Sequence, residues 1–129
     1  MEDKRTEYSV RKKRIHIDED EDNILYSINN KGTARVMHFP KYSEDLHISE
    51  IKVQKRFRDK GIGTQLINEI LKDADSKCAE VSIFPDTSKG PAYKERLVKY
   101  YNRFGFIIKK IDIDADEMVR PSKCNRSKL

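Results

Sequence analysis

The apolar pattern of the chain changes its period at one short stretch, RFRDKGIGTQL at residues 56–66, and this change constrains the fold more than any other feature. Before it, β-branched and aromatic residues cluster over 7–17, 24–28, 33–39 and 46–53, with the turn-forming NNKG between the second and third clusters. Such runs, separated by turn residues, predict four successive strands in a meander. After it, Ile62, Leu66, Ile67, Ile70, Leu71 and Ala74 recur at spacings of three and four, which predicts a helix with a single apolar stripe. Ala79, Val81 and Ile83 then alternate in a strand over 79–85. Pro91 suits a first helical position and Gly105 the residue past a helix end, bracketing a second helix with Tyr93, Leu97, Tyr101 and Phe104 on one face. Segments 106–111 and 117–120 close the chain as a last pair of strands.

A chain of 129 residues can bury one core without disulfides. No repeat or internal boundary divides it, so a single domain is expected over 1–120, followed by a basic tail over 121–129. Charged residues make up 38% of the chain and the net charge is +5, unevenly placed: RKKR at 11–14, DEDED at 18–22, and four positive charges in the last ten residues. The basic surplus could suit phosphates, nucleic acid or an acidic partner surface; the simple reading of each run is a solvated loop or tail, and the other is a binding patch. Cys78 and Cys124 are too few and too far apart for a zinc site or a disulfide framework. A reducing compartment is the simpler inference, with both cysteines structural or incidental and no metal site. No apolar stretch approaches the roughly 20 residues that cross a bilayer, and the N-terminus lacks the apolar run of a signal peptide, so a soluble cytoplasmic protein is expected.

A strand, a glycine turn and a helix in succession make a place for an anion. The helix start leaves its first N–H groups unpaired and carries about half a positive charge. Gly61 and Gly63 let a phosphate approach the backbone, and Arg58 and Lys60 add charge beside it. A nucleotide-hydrolase loop would need four residues between its glycines and then Gly-Lys-Ser or Thr, whereas one residue separates these and Thr64 follows directly. A dinucleotide loop would need a small residue where Leu66 stands, and a parallel βαβ setting.

The stretch VQKRFRDKGIGTQLINEIL instead resembles motif A of the GCN5-related N-acetyltransferase (GNAT) superfamily, through Arg58, Gly61 and Gly63, with Phe57 in the usual aromatic place. Downstream, LVKYYNRFGF resembles the superfamily's second recurring segment, through Tyr100, Tyr101, Gly105 and Phe106. The resemblance covers roughly 44–120. It implies an α+β fold, with a mixed, mostly antiparallel sheet flanked by helices, and acetyl-CoA as cosubstrate. It further implies that backbone groups of Arg58, Asp59, Lys60, Gly61, Ile62, Gly63 and Thr64 hold the pyrophosphate. Those of Ile51, Lys52 and Val53 would pair with the pantetheine arm in a gap between two splayed strands.

On this reading a primary amine attacks the thioester directly. Tyr101 occupies the family's tyrosine position and would donate to the departing sulfur, although its place on the apolar stripe fits a core tyrosine equally well. Glu50, the only carboxylate inside the strand before the glycines, is the candidate base, with His47 in reserve. The chain departs from the family at Lys94, where an asparagine is frequent, and at Leu97, where a small residue is frequent. It also lacks the two helices usually inserted between the first two strands, which suggests an open acceptor site suited to a side chain on a protein. The acidic run would then draw in a cationic amine such as a basic protein segment or a polyamine. One rival reading is a GNAT-fold binding or regulatory module without catalysis. Another is a small nucleic-acid-binding domain using RKKR, Arg56, Arg58 and the tail, which ranks last because no aromatic platform accompanies those runs.

Overall fold

Seven strands form one sheet in the order β1-β2-β3-β4-β5-β7-β6. In the computed structural model, which describes residues 15–40, 43–111 and 116–124, they are β1 His16–Glu19, β2 Asn23–Ile28, β3 Gly32–His38, β4 Leu46–Val53, β5 Val81–Ile83, β6 Ile107–Ile111 and β7 Asp116–Arg120. The RKKR run, the start of the first expected strand and residues 125–129 lie outside the described residues. Two helices, α1 Ile62–Lys77 and α2 Pro91–Asn102, sit where the apolar period and the Pro and Gly punctuation place them. All pairings are antiparallel except β4 with β5, so the sheet is mixed and mostly antiparallel, as expected.

Two strand boundaries differ from the sequence reading. β1 does not stop at Ile17: Asp18 and Glu19 pair with Leu25 and Ile24, so the acidic run is half strand. Its other half is a tight turn in which Asp20 Oδ1 accepts hydrogen bonds from the N–H groups of Asp22 (3.0 Å) and Asn23 (2.9 Å). β5 is shorter than 79–85. Ala79 N–H is already taken by Ala74 C=O at the end of α1 (2.8 Å), and Pro85 has no N–H to continue a ladder.

The stripe of α1 read from the sequence is buried in full. It packs on Ile24, Tyr26, Ile28, Ala34, Val36 and Ile48, all on one face of the sheet. Each isoleucine, leucine or valine among them contributes about 1.5–3 kcal/mol by leaving water. α2 shares that face: Tyr101 joins the same core, and Lys94 Nζ reaches Asp116 Oδ2 on β7 at 2.6 Å. Among the described residues no helix covers the opposite face, where Met37 and Phe84 stand exposed.

The end of α1 is fastened to the end of β7. Arg120, buried, donates two hydrogen bonds to Asp75 at 2.9 and 3.2 Å and a third to Phe104 C=O at 3.2 Å. One turn later Cys78 is disulfide-bonded to Cys124, with the Cα atoms 5.3 Å apart. This corrects the reading that the cysteines stand too far apart for a disulfide: 46 residues separate them in sequence, but Cys78 at the end of α1 and Cys124, four residues past β7, lie side by side. Among the described residues, no helix is long and apolar enough to cross a membrane.

Candidate active site

β4 and β5 run together only over Leu46↔Val81, His47↔Ser82 and Ile48↔Ile83. β5 then ends, and β4 continues through Val53 with no partner on that side. A bulge between Ile48 and Glu50 marks the separation, and Ser49 Oγ there donates to Arg35 C=O at 3.1 Å. Ladder N–H and C=O groups facing the gap are left available. The gap widens into a cleft of about 1250 Å³, with β4 on one side and α2 on the other.

The glycine turn closes one end of the cleft. After a 3-10 turn at Lys55–Phe57, Asp59 (φ 63°) and Gly61 (φ 82°) take left-handed conformations that swing the chain into α1. α1 has no side-chain cap and no acid in its first turn. Its first internal bond runs from Gln65 N–H to Gly61 C=O, so Ile62, Gly63 and Thr64 bring N–H groups with no helical partner to the cleft. A Cβ on Gly61 would meet nothing within 4 Å, and one on Gly63 would stand 3.6 Å from Tyr100 Oη. The turn therefore leaves the open space that a pyrophosphate needs, beside three N–H donors and a helix dipole.

The individual side chains sort themselves differently from the sequence reading. Arg58, Asp59, Gly61, Ile62, Gly63 and Thr64 all line the cleft, whereas Lys60 does not. Arg58 folds back so that its Nε donates to Val53 C=O at 3.2 Å, tying the turn to the strand end. The Ile62 side chain is buried, leaving only its backbone for a ligand. Ile51, Lys52 and Val53 edge the cleft along the unpaired part of β4.

α2 contributes two adjacent tyrosines with different tasks. Tyr100 Oη shares a 2.8 Å hydrogen bond with Thr64 Oγ1 and so locks α2 to the start of α1. Tyr101 is buried, lines the cleft, and its hydroxyl makes no hydrogen bond with any described residue. Burial, aided by the neighbouring Tyr100, pushes the Tyr101 phenol up to about 12, so it keeps its proton at neutral pH. Lys94 points away to Asp116, whereas Leu97 does line the cleft.

Glu50 lies just past the bulge, half exposed, with Oε2 3.7 Å from Lys52 Nζ. His47 lies just before it, on the face without helices. Its Nδ1 is 2.8 Å from Ser82 Oγ and its ring meets Phe84 edge-on at 5.4 Å. Burial holds the imidazole below its ordinary value, with Glu117 acting the other way. The acidic run does not line the cleft. Its turn lies beyond the start of β4, since Asn23 pairs with Met37 and His38 with Leu46, whereas Gly32 pairs with Val53 at the glycine end.

Sequence reasoning missed the Tyr100 to Thr64 bond, the Phe84 wall, and Lys89 and Arg96, which flank the Tyr93 ring at 5.1 and 5.8 Å. The first two depend on contacts between distant segments, Thr64 with Tyr100 and His47 with Phe84, that no local spacing encodes, whereas Lys89 and Arg96 stand within four residues of Tyr93 in sequence.

The sequence model of the acetyltransferase (GNAT) domain matches residues 11–108. Nothing among curated proteins matches the chain. Among solved structures, it is similar to the ribosomal-protein-S18-alanine N-acetyltransferase from Escherichia coli (15% identity, TM-score 0.63), with 97% of this chain and 80% of that one covered. It is also similar to the PaiA N-acetyltransferase from Thermoplasma acidophilum in complex with coenzyme A (14% identity, TM-score 0.59; 77% and 59% covered). A third is Arabidopsis thaliana Naa50 in complex with the bisubstrate analogue CoA-Ac-MVNAL (25% identity, TM-score 0.53; 77% and 71% covered). The chain thus matches less than two-thirds of the length of the PaiA protein.

Proposed function

The chain belongs to the GNAT acetyltransferase family, and on that premise we propose that it transfers an acetyl group from acetyl-CoA to a primary amine by direct attack. The observation that carries this reading is the separation of β4 from β5 over an uncapped glycine turn, with the cleft lined by Tyr101, whose hydroxyl bonds no described residue. The N–H groups of Gly61, Ile62, Gly63 and Thr64 would hold the pyrophosphate, with Arg58, Asp59 and Lys60 completing the turn. The free edge of β4 at Ile51, Lys52 and Val53 would bond the pantetheine amides as an added strand does. Acetyl-CoA supplies the thioester.

Three demands remain for the protein. A primary amine with a reference pKa of about 10.4 must shed a proton before or during attack. The carbonyl oxygen needs a donor, which an unpaired β4 N–H beyond the bulge would supply. The departing sulfur needs a hydrogen bond, and Tyr101 would give it. A phenol near 12 is a weaker acid than a thiol at about 8.5, so full proton transfer to the thiolate would run about 5 kcal/mol uphill. Tyr101 therefore acts by hydrogen-bonding the developing thiolate. Glu50, half exposed beside the bulge, would draw the cationic amine toward the thioester.

The β1–β2 connection is a tight turn rather than a pair of helices, and among the described residues no helix covers the face beyond the cleft. This supports an acceptor carried on a larger molecule, such as a lysine on a basic protein segment, or a polyamine. The rival, a CoA-binding module without catalysis, draws on Leu97 in the cleft wall. Calorimetric titration with acetyl-CoA, followed by acetylation assays on a lysine peptide, a peptide with a free α-amine and spermidine, separates the two. Binding with turnover supports the enzyme, and binding with none on all three supports the module.

A further inference from the structure

We infer that His47 receives the proton that leaves the acceptor amine, with Ser82 as the residue that positions its ring. The inference rests on the acetyltransferase reading and deepens it. His47 belongs to the next-to-last residue pair before β4 and β5 separate; it does not itself line the cleft, but the residue after it, Ile48, and its ring neighbour Phe84 do. Leu46 and Ile48 on either side of it are buried toward the helices. Alternation along the strand sends the imidazole to the opposite face, the one left open for an acceptor.

The ring is held from two sides. Nδ1 pairs with Ser82 Oγ at 2.8 Å, and Phe84, which lines the cleft, packs on it at 5.4 Å. In the tautomer in which Nδ1 donates to Ser82 Oγ, Nε2 carries a lone pair, and it has no hydrogen-bond partner among the described residues. Flanking side chains on this face include Met37 and Arg35 from β3, Glu50 opposite Arg35 on β4, Ser82 and Phe84 at β5, and Glu117 from β7. The desolvated ring is neutral at neutral pH and ready to accept a proton. An ordinary imidazole is a stronger base than a carboxylate by about two pKa units, a margin that burial narrows for His47.

The step balances. The acceptor's ammonium first gives one proton to solvent; as the freed nitrogen lone pair forms its bond to the carbonyl carbon, the remaining N–H becomes more acidic and its proton passes to Nε2, directly or through one water. The C–S bond then breaks, with the developing thiolate hydrogen-bonded by Tyr101, and the imidazolium returns its proton to solvent.

The test measures kcat/KM against pH with acetyl-CoA and the three amine probes named above. Wild type should lose activity on acidification, with a midpoint below 6.5, the ordinary histidine value. His47→Gln should lose about 100-fold at pH 7 together with that acid limb. Free imidazole should restore turnover to His47→Ala and not to Tyr101→Phe. Ser82→Ala should lower kcat, and Ser82→Thr should recover it. In the unmutated protein, the His47 ring titration followed by NMR should coincide with the activity limb, which covers the case in which the variants fail to fold. A limb that persists in His47→Gln, a limb that disappears in Glu50→Gln, or a ring midpoint away from the limb overturns the role of His47 alone. Binding of acetyl-CoA without turnover of any probe overturns the acetyltransferase reading, and this inference with it.

Discussion

Tyr100 closes over Gly63: its hydroxyl stands 3.6 Å from the place of a Gly63 Cβ and bonds Thr64 Oγ1 at 2.8 Å. The start of α1 is thus set by α2, and the space in front of the glycines is preserved by a contact from 36 residues away.

The two glycines should therefore fail differently. Gly63 has ordinary helical geometry and its Cβ would make only van der Waals contacts, so Gly63→Ala should hold or raise stability by up to about 1 kcal/mol. The same methyl would crowd the phosphate, and acetyl-CoA should bind about 10-fold more weakly. Gly61 sits at φ 82°, so Gly61→Ala should cost about 1 kcal/mol through backbone strain as well as affinity. Thermal melts alongside calorimetry check this. Equal losses of stability in both variants would remove the distinction.

The Tyr101 hydroxyl bonds no described residue, so Tyr101→Phe should leave stability and acetyl-CoA affinity nearly unchanged while kcat falls about 10- to 100-fold. Tyr100→Phe should show the reverse emphasis, losing about 1 kcal/mol of stability with the Thr64 bond and some affinity with it. Steady-state kinetics and melts on both variants decide. Wild-type turnover in Tyr101→Phe ends the case for the phenol.

What was legible in the sequence was whatever is written locally. The six stripe residues of α1 repeat every three or four positions and are all buried. Gly61 and Gly105 occupy left-handed turns, and Pro91 begins a helix. What was not legible depends on pairs far apart in sequence, such as Cys78 with Cys124, Thr64 with Tyr100 and Asp75 with Arg120. The acidic run misled for a different reason. Charge marks it as solvated, but solvated residues also serve in edge strands, and Asp18 and Glu19 do so in β1.

The disulfide closes a loop of 46 residues, and chain-entropy reasoning gives about 4 kcal/mol for such a constraint on the unfolded chain. Reduction, or Cys78→Ser, should therefore lower stability by about 2–4 kcal/mol in denaturant melts. In the native, oxidised protein neither cysteine should react with a thiol reagent. Rapid labelling of both, with no change in the melt on reduction, would show that the pair is not bonded in solution.

Asp75 and Arg120 should make stability pH-dependent in a defined window. The hydrogen bonds from Arg120 hold the Asp75 carboxyl below its ordinary value, against a smaller opposing effect of desolvation. A carboxyl whose pKa is lower folded than unfolded adds stability that is complete above the unfolded value of about 3.9 and fades as pH falls through the folded one. Asp75→Asn leaves the buried guanidinium without its counter-ion, and should cost about 2 kcal/mol at pH 7, moderated because the Asp75 side chain is 37% exposed. The difference between wild type and variant should stay level from pH 7 to about pH 5 and then shrink below pH 4. Urea melts across pH 3–7 measure it, and a difference that persists unchanged at pH 3 would mean that the pairing does not set the acid stability of this fold.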